Sequence, residues 1–283
     1  MNQQFAHPSD EWLIPTQIAH AYQGKDAIHF VTPITASFAC YQLGVKLADD
    51  IVDCDPNLKF SFADATNFSH LLIGLAERAI LECPQFIFGE VKFKLLYEIL
   101  RNVQHIFEGQ SLDLKGCETE EEYWRIAELK SANFFALPFI LTGIGLQLSL
   151  TEQQHLAKLG MGYGFLIQLF DDLEDCMAKE CKPDWFGEIR SLPILFAATV
   201  PHPDREWFVQ LRSEIGSPGN LEKAQSILLT CHAIGYCAYQ ISEKLAECKR
   251  IIQLLTCPNR LALFGMFERF EKALANLMEL VPT

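Results

Sequence analysis

Two acidic runs interrupt apolar stretches of helical periodicity: Leu47-Ala48-Asp49-Asp50-Ile51-Val52-Asp53, and Gln168-Leu169-Phe170-Asp171-Asp172-Leu173-Glu174-Asp175. Each contains D-D-x-x-D. Residues four apart on a helix stand one above the other, so Asp49 with Asp53, and Asp171 with Asp175, point as pairs into one space. Stacked carboxylates repel each other and destabilise the helix that carries them. A hard divalent cation removes that cost. Mg²⁺ takes one or two carboxylates and completes its shell with water and phosphate oxygens, which suits ligation this sparse. A solvated acidic helix end explains either run alone. Two runs of one pattern, 122 residues apart (49 to 171) and flanked by apolar residues, predict a metal site drawn from Asp49, Asp50, Asp53, Asp171, Asp172 and Asp175.

The rest of the chain supplies the scaffold. Apolar residues recur at steps of three and four, and strand-like alternation is absent, which predicts an all-α protein. Breaks fall at Pro56–Asn57, Cys83–Pro84, Lys115–Gly116, Leu148–Thr151, Cys181–Pro183, Pro201–Pro203, Ser217–Gly219 and Cys257–Pro258, leaving segments long enough to pack side by side as a bundle. Thr119 with Glu122 forms a capping-box pattern at the start of the helix carrying Tyr123, Lys130 and Phe135, and Thr151 is the expected cap of the next helix. With 283 residues, 49% of them hydrophobic, and no linker or repeat, a single domain over 1–283 is expected. A net charge of −13 disfavours nucleic acid and anionic lipid as partners, and an anionic substrate then needs a local reversal of sign. The ten cysteines are scattered and read as small buried hydrophobes in a reducing compartment. Met1 to Trp12 lacks a secretory apolar stretch, so a cytoplasmic location is expected. The longest near-apolar run, Phe134 to Leu146, contains Pro138 and is too short to span a bilayer.

Four segments in fixed order resemble the trans-isoprenyl diphosphate synthases, whose α-helical fold is shared by the class I terpene synthases. Asp49-Asp50-x-x-Asp53 resembles the first aspartate-rich motif and Gln168-x-x-Asp171-Asp172-x-x-Asp175 the second. Between them, Gly109-Gln110-Ser111-Leu112-Asp113-Leu114 is similar to G-Q-x-x-D-L, and Tyr123 through Lys130-Ser131-Ala132 to Y-x₆-K-[ST]-A. The resemblance implies that the two clusters face each other across a cavity and hold Mg²⁺ ions that grip an allylic prenyl diphosphate. It implies that Lys130 donates to the same phosphates and that Gln110 and Gln168 help bind the substrate; a buried glutamine that merely ties helices together is the competing reading of those two. It also implies a homodimer.

The chain departs from this family where a second diphosphate, that of isopentenyl diphosphate, is bound. In place of G-G-K-x-x-R it has Gly24-Lys25-Asp26-Ala27-Ile28-His29, and in place of an arginine pair after the first motif it has Leu58-Lys59. The downstream D-x-x-x-G-K element becomes Asp184-Trp185-Phe186-Gly187-Glu188-Ile189-Arg190, with Ile189 at the lysine position and Arg190 beside it. Lysine does not reproduce the bidentate fork of arginine on phosphate. Intact metal clusters with a degraded second site favour ionisation of one allylic diphosphate without elongation, the chemistry of a terpene synthase or cyclase. The alternatives are a divergent chain-elongating prenyltransferase using Lys25, Lys59 and Arg190, and a non-catalytic subunit that modulates a true synthase. Asp49, Asp53, Asp171 and Lys130 are the expected catalytic groups. An allylic cation needs a dry pocket whose aromatic faces can stabilise it; Phe134, Phe135, Phe139, Tyr163, Phe165 and Phe170 lie near the motifs. Gly44, five residues before Asp49, stands where short-chain members place a bulky aromatic floor, which implies a deep pocket for a fifteen- or twenty-carbon chain.

Overall fold

A computed structural model describes residues 8–23, 28–53, 58–83 and 89–279. After a 3₁₀ turn at Pro8–Leu13, the chain forms α1 (Ile14–Gln23), α2 (Ile28–Val52), α3 (Phe62–Leu81), α4 (Gly89–Asp113) and α5 (Glu120–Ala127). One π-helical turn, Glu128–Ala132, joins α5 to α6 (Asn133–Gly145). Then follow α7 (Leu150–Cys176), α8 (Leu192–Thr199), α9 (Arg205–Ser213), α10 (Asn220–Thr230), α11 (Ala233–Leu254), α12 (Arg260–Gly265) and α13 (Glu268–Met278). No strand occurs among the described residues, as the helical periodicity predicts. No helix among them is long and apolar enough to cross a membrane.

Helix α6 is buried over nearly its whole surface, from Phe135 to Gly145, so it must be covered on every side. Helices α2 and α4 cover one flank, where Phe38, Tyr41, Leu95, Ile99, Leu137 and Leu141 share a core cluster. Helix α7 covers the other, burying Leu156, Leu159, Tyr163, Leu166, Phe170, Leu173 and Cys176 at steps of three and four within the larger core. Small residues set how closely these helices approach. A Cβ on Gly164 would lie 2.6 Å from Ala132 Cα and from the Ser131 carbonyl oxygen, and one on Gly160 would lie 2.7 Å from Ala136 Cα. Because α6 and α7 meet this closely, the acidic end of α7 is held at a fixed distance from the π turn.

The capping box forms as predicted: Thr119 Oγ1 accepts from the Glu122 N–H, and the Glu122 carboxylate accepts from the Thr119 N–H. The expected cap of α7 is displaced. Ser149, not Thr151, is the N-cap, its hydroxyl accepting from the Glu152 N–H at 3.2 Å, which leaves Thr151 inside the first turn. None of the nine described cysteines is joined in a disulfide. The predicted breaks at Pro56–Asn57 and at Pro84 lie outside the described residues.

Candidate active site

Helix α2 ends at Val52, yet the Asp53 N–H still donates to the Asp49 carbonyl at 2.9 Å. The helical register therefore runs through the last aspartate. Asp49 and Asp53 line one cavity of about 460 Å³ together with Asp171 and Asp175 of α7. The second aspartate of each run is rotated by about 100° from the first, and it behaves differently. Asp50 does not line the cavity and pairs with Lys46 at 3.1 Å. Asp172 is 2% exposed in the cavity wall. Its Oδ2 accepts from the Tyr123 hydroxyl and the Leu192 N–H, both at 2.8 Å, and its Oδ1 accepts from Gln168 Nε2 at 2.7 Å. Three donors occupy this carboxylate. Asp50 and Asp172 thus depart from the expected metal set, the first because it faces away, the second because its lone pairs are committed.

The π turn carries Lys130. Its extra residue closes where the Asn133 N–H returns to the Glu128 carbonyl, and insertions of this kind are found mostly at functional sites. Lys130 Nζ donates to Asp113 Oδ2 at 2.9 Å and lies 3.3 Å from Asp49 Oδ1. Burial works against the ammonium, but Asp113, Asp49 and Asp53 outweigh it and raise the Lys130 pKa, so it stays charged. Gly109 makes the geometry possible: a Cβ there would lie 2.8 Å from the Lys130 nitrogen and 2.9 Å from Leu129 Cβ. Ser131 donates its hydroxyl to Gln168 Oε1, so both ends of the Gln168 amide are fixed, one on Ser131 and one on Asp172.

A segment from the other side brings Asp184 and Arg190 into the same cavity. Gly116, with φ +71°, permits close packing of the turn after α4 on Glu188 and Ile189, and the Cys117 N–H donates to the Ile189 carbonyl at 2.8 Å. Ile189 packs against the core, and its neighbour Arg190 faces the cavity. Asp113 and Asp184 are cavity residues to which sequence reasoning gave no role, although both stand in quoted motifs. The other sequence candidates separate. Gln110 lines an apolar pocket of about 300 Å³, with Nε2 buried and without a partner. Lys59 is exposed and lines neither cavity. Gly44 is not a pocket position: its missing Cβ points at α3, 3.0 Å from the Ser69 carbonyl oxygen and from Ile73 Cγ1. Lys25 lies outside the described residues.

The apolar pocket shares Asp49, Val52, Lys130, Ser131 and Asp171 with the acidic cavity, and Val45, Ile106, Phe134 and Phe135 are among its other walls. Phe134 stacks on Tyr41 at 5.9 Å between ring centroids and touches Phe38 at 5.7 Å. Tyr41 is held in turn by Asn102 Oδ1, which accepts its hydroxyl at 2.7 Å. Phe139, Tyr163 and Phe170 are core residues, while Phe165 lies under the Lys244 ammonium at 4.8 Å.

Besides the hydrogen-bonded Asp172, six carboxylates, Asp49, Asp53, Asp113, Asp171, Asp175 and Asp184, line this cavity, against the two cations Lys130 and Arg190. Burial, then Asp175 and Glu174, push Asp171 up to about 7. Burial with Asp175 and Asp113 pushes Asp184 up to about 6, against Arg190 and Lys130. Asp53 and Asp175 are raised, mainly by burial. Acidic groups outnumber basic ones in the cavity. Its donors are oxygens alone, and no three acidic, His or Cys side chains among the described residues converge as a ready-made metal cage. That donor set fits a hard cation that takes the remainder of its shell from water and a bound anion. Arg190, whose Nε is buried without a partner, adds an unused donor on the same wall.

The model of the polyprenyl synthetase family matches residues 16–228. The chain belongs to the polyprenyl synthetase family. Solved structures of similar fold are prenyl diphosphate synthases by name. A decaprenyl diphosphate synthase from Rhodobacter capsulatus superposes with a TM-score of 0.76 at 17% identity, over 96% of this chain and 86% of that one. Geranylgeranyl pyrophosphate synthetases from Geoglobus acetivorans and Pyrococcus horikoshii give TM-scores of 0.77 and 0.76 at 18% and 21% identity. Both cover 92% of this chain and 84% of theirs. None of the curated proteins gives a significant match. At such identities the superpositions establish the all-α isoprenoid synthase fold of this chain, and the match to the family model establishes the family.

Proposed function

We propose that this polyprenyl synthetase is a Mg²⁺-dependent prenyltransferase that ionises an allylic prenyl diphosphate and extends it with isopentenyl diphosphate. One observation carries the reading: an acidic cavity and an apolar pocket share the walls Asp49, Lys130, Ser131 and Asp171, as a charged head joined to an apolar tail requires. Family membership and the printed names of the structural neighbours support elongation over the cyclase reading favoured from sequence. Asp49, Asp53, Asp171 and Asp175 would hold the metal, which when bound supplies Lewis-acid neutralisation of the leaving diphosphate. Lys130 donates to the phosphate oxygens, and its fixed position means no reorganisation is needed as charge develops there. Gln168, locked by Ser131 and Asp172, shapes the junction of the two spaces. Phe134, Phe135 and Ile106 exclude water from the allylic carbons. The chain works as one domain in the cytoplasm, as a homodimer.

A second reading, ionisation without elongation, is favoured by a specific observation. Among the described residues Lys130 and Arg190 are the basic side chains that line the diphosphate cavity, and Lys59 stands outside it. The deciding experiment gives purified protein geranyl, farnesyl or geranylgeranyl diphosphate with labelled isopentenyl diphosphate. A labelled, longer prenyl diphosphate is expected. A hydrocarbon or terpene alcohol without label would reverse the order of the two readings, and no release of diphosphate from any substrate would reject both.

A further inference from the structure

One wall of the apolar pocket comes from the N-terminal turn, far in sequence from every motif. It is Glu11, in the 3₁₀ turn Pro8–Leu13. Glu11 is 2% exposed, and its Oε1 accepts from Arg269 Nη2 of α13 at 2.7 Å, across 258 residues of sequence. Arg269 also donates to the Tyr163 hydroxyl at 2.5 Å and lays its guanidinium over the rings of Phe270 and Tyr163, 4.7 and 5.2 Å from their centroids. Both residues fall outside the span 16–228 that matches the family model.

The two charges are placed unequally. Glu11 lines the pocket with Phe135, Ile167 and Asp171, whereas Arg269 does not; Arg269 borders a separate void of about 30 Å³ beside Asp171 and Glu174, and its side chain keeps 28% exposure. The pair is a dipole with its negative end in the pocket wall. Glu11 Oε2 is buried and has no hydrogen-bond partner. A half-satisfied carboxylate in an apolar wall is a costly way to join two ends of a fold, since an apolar contact of similar volume serves as well or better. A second positive charge arising in the pocket would find the free oxygen already in place.

Given the reading that an allylic diphosphate ionises in this cavity, we infer that Glu11 is a catalytic carboxylate whose charge stabilises the allylic cation from the apolar side, with Arg269 holding it in position. In that step the C1–O bond breaks heterolytically and its electron pair leaves with the diphosphate, while positive charge spreads over the allylic carbons. Glu11 forms no bond and takes no proton. A fixed anion facing a nascent cation from an apolar wall is screened less than in water and need not reorganise as the charge develops.

The test is steady-state kinetics of the full-length wild type and of E11Q, E11D and R269Q with Mg²⁺, isopentenyl diphosphate and geranyl diphosphate or its 2-fluoro analogue. Diphosphate release is followed, and a melting temperature is taken for each variant. Fluorine at C2 withdraws electrons, so the rate penalty it imposes reports cation character. E11Q is expected to lose kcat by on the order of 100-fold, the scale of removing one preorganised electrostatic group, at unchanged KM and with a larger fluorine penalty. E11D keeps the charge but draws it back by one methylene, and falls between E11Q and the wild type in both respects. R269Q keeps the carboxylate but no longer fixes it; it melts lower, as E11Q does, loses less kcat than E11Q and has a smaller fluorine penalty than E11Q. A purely structural ion pair predicts instead that E11Q and R269Q decline together with an unchanged fluorine penalty, and that result overturns the inference. So does wild-type kinetics in E11D, which keeps the test decisive should E11Q not fold. A wild type that releases no diphosphate would overturn the functional reading itself, an outcome distinct from both.

Discussion

Asp171 and Asp172 are adjacent on α7 and do opposite things. Asp171 opens into the acidic cavity, where burial and neighbouring carboxylates raise its pKa; Asp172 is closed in by Tyr123, Gln168 and the Leu192 N–H. Asp171→Ala is therefore expected to abolish diphosphate release while leaving the melting temperature near that of the wild type, and chelation of divalent cations should mimic it. Asp172→Ala strands two buried donors, the Tyr123 hydroxyl and the Leu192 N–H, and the half-buried Gln168 amide, and should cost about 3 kcal/mol or more of stability, read as a shifted denaturant midpoint. Glu121→Ala, on an exposed face of α5, is the control that changes neither. A second contrast concerns substrate length. Gly44→Phe should destabilise the α2–α3 contact without shortening the product, because its side chain would enter α3 at the Ser69 carbonyl. Phe134→Ala removes the ring that closes the apolar pocket against Tyr41 and Phe38, and product chromatography should then show longer chains.

Between Thr119 and Gly145 the sequence reads as one helix with a capping box, and the box forms as read. The π turn at Glu128–Ala132 was not legible, because no residue in Glu-Leu-Lys-Ser-Ala demands it. Its causes are tertiary: Gly109 on α4 and Gly164 on α7 approach the Leu129–Ala132 backbone too closely for any side chain. Asn133 Nδ2 also donates to the Glu128 carbonyl at 2.8 Å, and Asn102 Nδ2 holds the Asn133 carbonyl at 2.6 Å. Gly109→Ala must push α4 away from this turn. A loss of roughly 1–3 kcal/mol is expected from such overpacking, together with a raised KM for the allylic diphosphate as Lys130 shifts off Asp113 and Asp49. Lys130→Arg, which keeps the charge and the helix contacts, should raise KM without that loss of stability. The same reasoning explains why Gly44 was misread and the aspartate pairs were not. A pair four residues apart is fixed by one helix alone, whereas the direction a glycine faces depends on which helix packs there. Glu11 and Arg269 lie further still from legibility, since nothing local marks either of them.

At the scale of the whole molecule, α4 has two apolar faces. Leu95, Ile99, Asn102, Ile106, Gly109, Gln110 and Asp113 turn inward to the core and the site. Phe93, Tyr97, Leu100 and Phe107 follow one another at steps of four, three and seven on the opposite side and are exposed, Phe93 by 69%. Phe68, Leu71 and Leu75 of α3 expose a similar stripe. Apolar surface of this extent marks an interface in a protein that stays in solution, and a second copy of the chain is the occupant expected here, since family resemblance implies a homodimer. Phe107 links that surface to the chemistry, because it is both exposed on α4 and a wall of the apolar pocket. Covering it would shut the pocket to water from that side. Sedimentation should therefore find a particle of twice the 32.1 kDa chain mass, and Phe93→Glu with Leu100→Glu should halve it. If pocket closure depends on the partner, the monomeric double variant keeps its helical content but loses kcat and diverts product to the water-captured alcohol. A wild type that sediments as a monomer at micromolar concentration would remove the second copy from this account. The stripe on α3 and α4 would then need another partner.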